Sequence, residues 1–272
     1  MLVFPNAKLN LGLHITAKRS DGFHTLETVL VPLPWCDALE VLPATETRLT
    51  LTGRPIPGEV ATNLCLRAYE LLRADFAQVP PVQLHLHKVV PIGAGLGGGS
   101  ADAAFALRAL NTVLGLALTD EQLEAYARRL GSDCAFFIRN EPALARGRGD
   151  ELSPLPLPQL RGAACKVIYP NLHISTAEAY AGVTPQAPAH ELRAALAGPV
   201  ASWRGTVVND FEAALAPKYP LLGELKAQLY AAGAAYASLS GSGSAVFGLW
   251  PGQDAPPALN LPAEYLVWDG QL

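Results

Sequence analysis

Pro91-Ile92-Gly93-Ala94-Gly95-Leu96-Gly97-Gly98-Gly99-Ser100 is the stretch on which the reading of this chain turns. It leaves a predicted strand over 82–88 and enters a predicted helix over 100–114, where Ala103, Leu107, Leu110 and Leu114 recur at helical spacing. Glycines at 93, 95, 97, 98 and 99 let backbone N–H groups converge on an anion without interference from Cβ atoms. The positive end of the helix dipole adds to the same spot, so the loop is expected to hold a polyphosphate. A turn that needs glycine only for close packing is the competing account. The string also contains G-x-G-x-x-G at Gly93, Gly95 and Gly98. A dinucleotide site would want an acidic residue about 20 positions on, at the end of the next strand. Asp120, the nearest candidate, opens a helix instead. No Gly-Lys-Ser/Thr follows, which excludes a Walker A loop.

On the N-terminal side, residues 8–15 alternate: Leu9, Leu11, Leu13 and Ile15 on one face, Lys8, Asn10, Gly12 and His14 on the other. Period two predicts a half-buried strand. A turn at 19–22 leads to a second extended stretch over 24–30, and further strands are expected at 38–42 and 48–52. A helix is expected over 63–73, and Thr119 with Gln122 forms a capping box for another that ends near Gly131. The proline-rich run 152–158 breaks regular structure and is expected to join two lobes, 1–155 and 156–272. Beyond it come a strand at 165–169, helices after Thr176, at 209–215 and at 221–232, and a strand-turn-strand unit through Ser240-Gly241-Ser242-Gly243. Strands and helices mix without strict alternation, which predicts an α+β fold.

Half of the 272 residues are hydrophobic and 16% are charged, as in a packed globular protein. Twenty Lys and Arg against 24 Asp and Glu give a net charge of −4, which argues against a nucleic-acid partner. No apolar run approaches the ~20 residues of a membrane span, and the first residues lack a signal-peptide layout. Cys36, Cys65, Cys134 and Cys165 are widely spaced and form no C-x-x-C pair, so reduced thiols in a cytoplasm are expected. Monomer and homodimer both stay open.

Transfer of a phosphoryl group to an alcohol needs positioned phosphates, charge neutralisation and a group to accept the hydroxyl proton. Asp133 stands at the mouth of the apolar run Cys134-Ala135-Phe136-Phe137-Ile138. A carboxylate there is either a helix N-cap or that acceptor. Lys8 shares a strand face with Asn10 and is either the counter-charge or a solvated edge lysine. His85 and His87 share a face without a third ligand, and His14 and His24 lie elsewhere, so solvated histidines are expected. The glycines at 241 and 243 suit either an anion nest or a hairpin turn.

These motifs together resemble the superfamily of galactokinase, homoserine kinase, mevalonate kinase and phosphomevalonate kinase, the GHMP kinases. The loop 91–100 is similar to its central motif; Ala7-Lys8-Leu9-Asn10-Leu11 and the run 239–247 resemble its first and third. Arg19-Ser20-Asp21-Gly22-Phe23-His24, Gly131-Ser132-Asp133 and Asn209-Asp210-Phe211-Glu212 resemble the branch whose acceptor is a cytidine-diphosphate-linked methylerythritol. The resemblance implies a two-lobed GHMP-kinase-like fold with a central cleft. It also implies transfer of the ATP γ-phosphoryl to the tertiary 2-hydroxyl of that sugar alcohol, on the non-mevalonate route to isoprenoids. Homoserine- or mevalonate-type kinases, and a nicotinamide-dependent oxidoreductase, are the alternatives. Carried over by motif, Asp133 is the base and Lys8 its electrostatic partner. Pro91, Gly93, Gly95, Leu96, Gly97, Gly98, Gly99 and Ser100 hold the triphosphate, and Asn63 and Lys88 lie near the adenosine. Asn10, Phe23, His24 and Tyr180 surround the cytidine diphosphate. Mg²⁺ accompanies ATP, with the Ser100 hydroxyl in its reach and no carboxylate ligand identified. Phe23 stands where that branch usually has Tyr, and Cys134-Ala135 where it has Val-Pro.

Overall fold

Strand Val82–Lys88 shows how local pattern becomes architecture: Val82, Leu84, Leu86 and Lys88 are buried while Gln83, His85 and His87 face outward. A computed structural model describes residues 1–272. The chain folds as two compact units that interleave in sequence. One comprises Met1–Ala7, Trp35–Ile92 and Gly97–Glu141; the other comprises Lys8–Pro34, Gly93–Leu96 and Pro142–Leu272. No single cut at 155 separates them. The proline-rich run lies within the second unit, where it contributes the short strand Glu151–Pro154 and a 3-10 turn at Pro158–Leu160 instead of breaking all regular structure.

The first unit holds a four-stranded sheet in the order Leu2–Val3, Ala38–Pro43, Val82–Lys88, Arg48–Gly53. Val82–Lys88 runs antiparallel to Ala38–Pro43 and parallel to Arg48–Gly53. Helices Leu64–Asp75, Gly98–Val113 and Asp120–Leu130 pack on one another, and Gly98–Val113 also lies on strand Ala38–Pro43. Alanines at 101, 103, 104, 106 and 109 allow that helix to be buried along most of its length. Thr119 and Gln122 form the expected capping box, and Gly115 follows the preceding helix at φ +63°.

Two four-stranded sheets build the second unit. One orders Asn6–Lys18, His24–Cys36, Ala143–Arg146, Glu151–Pro154; the other orders Tyr236–Leu239, Val246–Trp250, Ala164–Tyr169, Leu266–Gln271. Its core gathers Leu13, Ile15, Ile168, Phe211, Leu225, Leu229 and Trp250, among others. Strand Asn6–Lys18 is buried on both faces from Asn6 to His14, not half-buried as its alternation suggests. The polar face is closed over by backbone and amide partners, and this is why Lys8 is 3% exposed and no edge lysine. His14 is also 3% exposed, against the expectation of a solvated ring. His85 and His87 are exposed and share the Thr52 hydroxyl.

Candidate active site

In the second unit, three motifs far apart in sequence meet at Gly93–Leu96. Lys8 donates from its backbone to Leu96 O at 2.9 Å, and from Nζ to Gly95 O at 2.9 Å and Asn10 Oδ1 at 2.5 Å. Asn10 Nδ2 donates to Thr28 Oγ1 at 3.0 Å, and Thr28 donates on to Gly12 O. The turn between strands Tyr236–Leu239 and Val246–Trp250 closes the arrangement: Ser240 Oγ donates to Gly95 O and Ala245 N to Ala94 O. That turn joins antiparallel strands, as the hairpin reading expects. Asn209 Nδ2 pins it by donating to Leu239 O and Gly241 O. A Cβ on Gly95 would lie 1.9 Å from Ser240 O, and its φ is +78°. Close packing therefore does account for glycine at this position.

Gly99 is different. It is exposed, its φ is ordinary, and a Cβ there would meet nothing within 4 Å. No packing demand explains it, so the open space above the chain is what glycine leaves. It sits in the first turn of the 16-residue helix Gly98–Val113, whose N-cap Gly97 offers no side chain to the helix. The first intrahelical backbone bond runs from Ala101 N to Gly97 O, so the N–H groups of Gly98, Gly99 and Ser100 precede the ladder. An uncapped helix start with its dipole exposed favours an anion.

Beneath that helix start, Lys88 is 2% exposed and bonds Asp37 Oδ2 at 2.5 Å and Asp102 Oδ2 at 2.7 Å. Asp37 Oδ1 accepts the N–H groups of Val89 at 2.6 Å and Val90 at 2.8 Å. Asp102 Oδ2 takes the Lys88 bond, while its Oδ1 is buried without a partner. Burial, followed by the negative charge of Asp37, pushes the Asp102 carboxyl up to about 7 against the pull of Lys88. Burial works against the Lys88 charge, but the two carboxylates outweigh it and hold its pKa above the usual lysine value. The ammonium expected beside adenosine is thus enclosed by acids, with its Nζ 2.9 Å from where a Gly98 Cβ would stand. The sequence carries a signal for this: Lys88 occupies the inward register of an alternating strand, and a buried lysine requires counter-charge.

Asp133 lies half-exposed in the turn that precedes the short helix Phe136–Arg139, whose N-cap is Ala135. The capping role open to Asp133 falls to another residue. A side chain on Gly131 would reach Cys134 Sγ at 3.2 Å and Ser100 Oγ at 3.9 Å, so this turn abuts the start of helix Gly98–Val113. Burial raises the Cys134 thiol to about 12 even though a hydrogen bond with Ser100 pulls it down. Asn63 is the N-cap of helix Leu64–Asp75 and accepts from Cys65 N at 2.9 Å. No three His, Cys, Asp or Glu side chains are grouped to hold a metal ion.

The second unit also carries an aromatic ledge. His24 and Tyr180 stack with centroids 4.7 Å apart and planes inclined by 25°. Phe211 meets Tyr180 edge-on at 5.0 Å. Phe23 is 54% exposed, with the Arg148 guanidinium 5.3 Å from its ring centroid. Sequence reasoning does not single out Thr28, Asp37 or Asp102.

A glycine-rich helix start, a lysine-bearing first strand and a late serine-glycine hairpin are the framework of GHMP kinases, and the family models agree. "GHMP kinases N terminal domain" matches residues 63–141 and "GHMP kinases C terminal" matches 191–260. The chain belongs to the GHMP kinase family and has its mixed helix-and-sheet fold. It is 48% identical over 250 residues to the 4-diphosphocytidyl-2-C-methyl-D-erythritol kinase of Cytophaga hutchinsonii, covering 92% of each chain. To the protein of the same name from Bacteroides fragilis it is 46% identical over 269 residues, 97% of each. A crystal structure of 4-(cytidine 5'-diphospho)-2C-methyl-D-erythritol kinase superposes with a TM-score of 0.80 at 33% identity, covering 99% of this chain and 98% of that one. A GHMP kinase uses ATP. The nicotinamide reading of Gly93, Gly95 and Gly98 is overturned, because the helix after the loop does not lead to a parallel strand beside Val82–Lys88, whose two neighbours, Ala38–Pro43 and Arg48–Gly53, both precede the loop in sequence.

Proposed function

We propose that this chain transfers the γ-phosphoryl of ATP to the 2-hydroxyl of 4-diphosphocytidyl-2-C-methyl-D-erythritol. The observation that carries the reading is the uncapped helix start at Gly98, Gly99 and Ser100, open to solvent at Gly99, whose N–H groups suit the triphosphate. The relatives named above supply the acceptor's identity. By the family resemblance, Asp133, carried on the turn beside Ser100, accepts the hydroxyl proton, and Lys8 supplies positive charge for the developing alkoxide. Asn63 lies toward the adenosine side. Lys88 serves the same half by holding Asp102, and with it the helix, in place. Phe23, His24 and Tyr180 offer faces and a polar edge to the cytosine ring, with Asn10 beside the diphosphate.

Mg²⁺ comes with the nucleotide. With no cage of carboxylates in the chain, a hard cation draws most of its ligands from phosphate and water, and the Ser100 hydroxyl fits the remaining place. When bound it neutralises charge on the phosphates. No helix is long and apolar enough to cross a membrane, and all four cysteines are unpaired, which supports a cytoplasmic setting.

The deciding experiment measures ADP release from ATP and Mg²⁺ with a panel of alcohols. Turnover is expected with the cytidylyl alcohol; turnover with homoserine or mevalonate alone would move the assignment to another branch. Asp133→Asn is expected to bind ATP normally and to lose at least ~100-fold in kcat, as loss of a general base requires. Near-normal turnover in that variant would remove Asp133 from the proposed role.

A further inference from the structure

His14 is a buried ring with one satisfied nitrogen. Its Nδ1 donates to Asp210 Oδ1 at 3.3 Å, since a carboxylate only accepts, while Nε2 is buried with no partner. Stranding a buried polar atom is costly, and a leucine would fill the same volume without that cost. The ring's value must then lie in its bond to Asp210. Asp210 is held at both oxygens by consecutive residues of strand Asn6–Lys18, because Oδ2 accepts Ile15 N–H at 2.8 Å.

Asp210 opens the helix Asp210–Leu215, only six residues long. So short a helix is not stable alone and takes its orientation from tertiary contacts. Asn209 caps it from one side, and the clamp at residues 14 and 15 holds it from the other. The next residue, Phe211, is 1% exposed and sets its edge against Tyr180, which stacks on His24. A continuous line of contacts therefore runs from His14 through Asp210 and Phe211 to the aromatic ledge.

We infer that His14 is a positioning residue for the acceptor: by fixing Asp210 it fixes Phe211, and through it the plane that Tyr180 presents to the cytosine. This rests on the assignment of the ledge to the cytidine moiety made above. His14 itself touches neither substrate nor nucleotide in this scheme. Its loss should therefore weaken binding of one substrate and leave the chemical step alone.

The test is steady-state ADP release by the full chain, varying the cytidylyl alcohol at saturating ATP and then the reverse. Four proteins are compared: wild type, His14→Leu, His14→Asn and Phe211→Leu. Asparagine keeps an N–H donor where Nδ1 stands. His14→Leu is expected to raise KM for the alcohol about tenfold, the loss anticipated for a charge-assisted hydrogen bond, with kcat and KM for ATP within about twofold. His14→Asn should stay within about threefold of wild type, and Phe211→Leu should repeat the KM rise of His14→Leu. If His14→Leu fails to fold, the comparison of Phe211→Leu with His14→Asn carries the test. An unchanged KM for the alcohol in His14→Leu, or an equal rise in both KM values, overturns the positioning role while the kinase assignment stands. A wild type that turns over only alcohols without cytosine overturns both.

Discussion

Two polar assemblies on opposite sides of the functional reading are built in different ways. In the first unit, Lys88 and two aspartates are withdrawn from water and bound by short contacts directly under a helix start. In the second, His24, Tyr180 and Phe23 present ring faces and remain partly open to solvent. Charges in a low-dielectric interior tolerate little change, since each partner removed leaves another unpaired. Rings that stack on one another lose contact gradually. The half proposed to hold phosphate is accordingly set by folding itself, and the half proposed for the base is set by softer packing. Mutations in the first should register as lost stability and mutations in the second as altered KM.

The harshest way to break this contrast is Lys88→Met. It leaves Asp37 and Asp102 facing each other in a buried site and is expected to cost about 3–5 kcal/mol in unfolding free energy. Urea denaturation reads the effect directly. A variant as stable as wild type would mean that the cluster is solvated in practice and that the helix start is held by something else.

A milder test uses pH. The Asp102 carboxyl is raised to about 7 in the folded chain by burial and by Asp37, from the ordinary value of 3.8. Between those values the folded state binds a proton that the unfolded state has released. The contribution to stability is therefore complete below about 4, declines as pH rises, and is gone above about 7. Between pH 5 and pH 8 wild type should lose roughly 2 kcal/mol more than Asp102→Asn, in which the titrating group is absent while an oxygen remains for Lys88. At pH 8 the asparagine variant should be at least as stable as wild type. Parallel pH profiles for the two proteins would show that Asp102 stays ionised throughout.

The two regions are also unequally legible in the sequence. Strands and helices around the loop follow from period and capping: Val82–Lys88 alternates, and Thr119 with Gln122 opens its helix as written. The glycine loop stands out because backbone approach to an anion demands residues without side chains. Partnerships over long separations do not. Asp37 and Asp102 look like ordinary surface acids in sequence, and only the fold brings them 51 and 14 residues across to Lys88. Asn209 and Thr28 donate to backbone carbonyls whose positions no local pattern encodes. Strand Asn6–Lys18 misleads for a related reason, since alternation reports two faces but not whether the second is covered. Short strands such as Ala143–Arg146 and Leu266–Gln271 escape a sequence reading because tertiary pairing, not intrinsic preference, defines them.

The smallest expected effect lies on the aromatic side, at Phe23. Its ring is 54% exposed and lies near the Arg148 guanidinium, which also bonds Asp150 at 3.2 Å. Phe23→Tyr adds a hydroxyl at the solvent-facing end of a ring that already has its packing. Stability should move by no more than about 0.5 kcal/mol, as for other exposed substitutions. A new hydrogen bond to the acceptor, exchanged against water, is worth about 0.5–1.5 kcal/mol, so KM for the cytidylyl alcohol should fall by no more than about tenfold while kcat and KM for ATP stay put. Thermal melts and ADP-release kinetics on the one variant separate the two quantities. If the substitution instead lowers stability by as much as the changes at Lys88 or Asp102, the ledge is as tightly determined as the charged cluster, and the distinction between a rigid phosphate half and a compliant base half fails at the residue where it should be easiest to see.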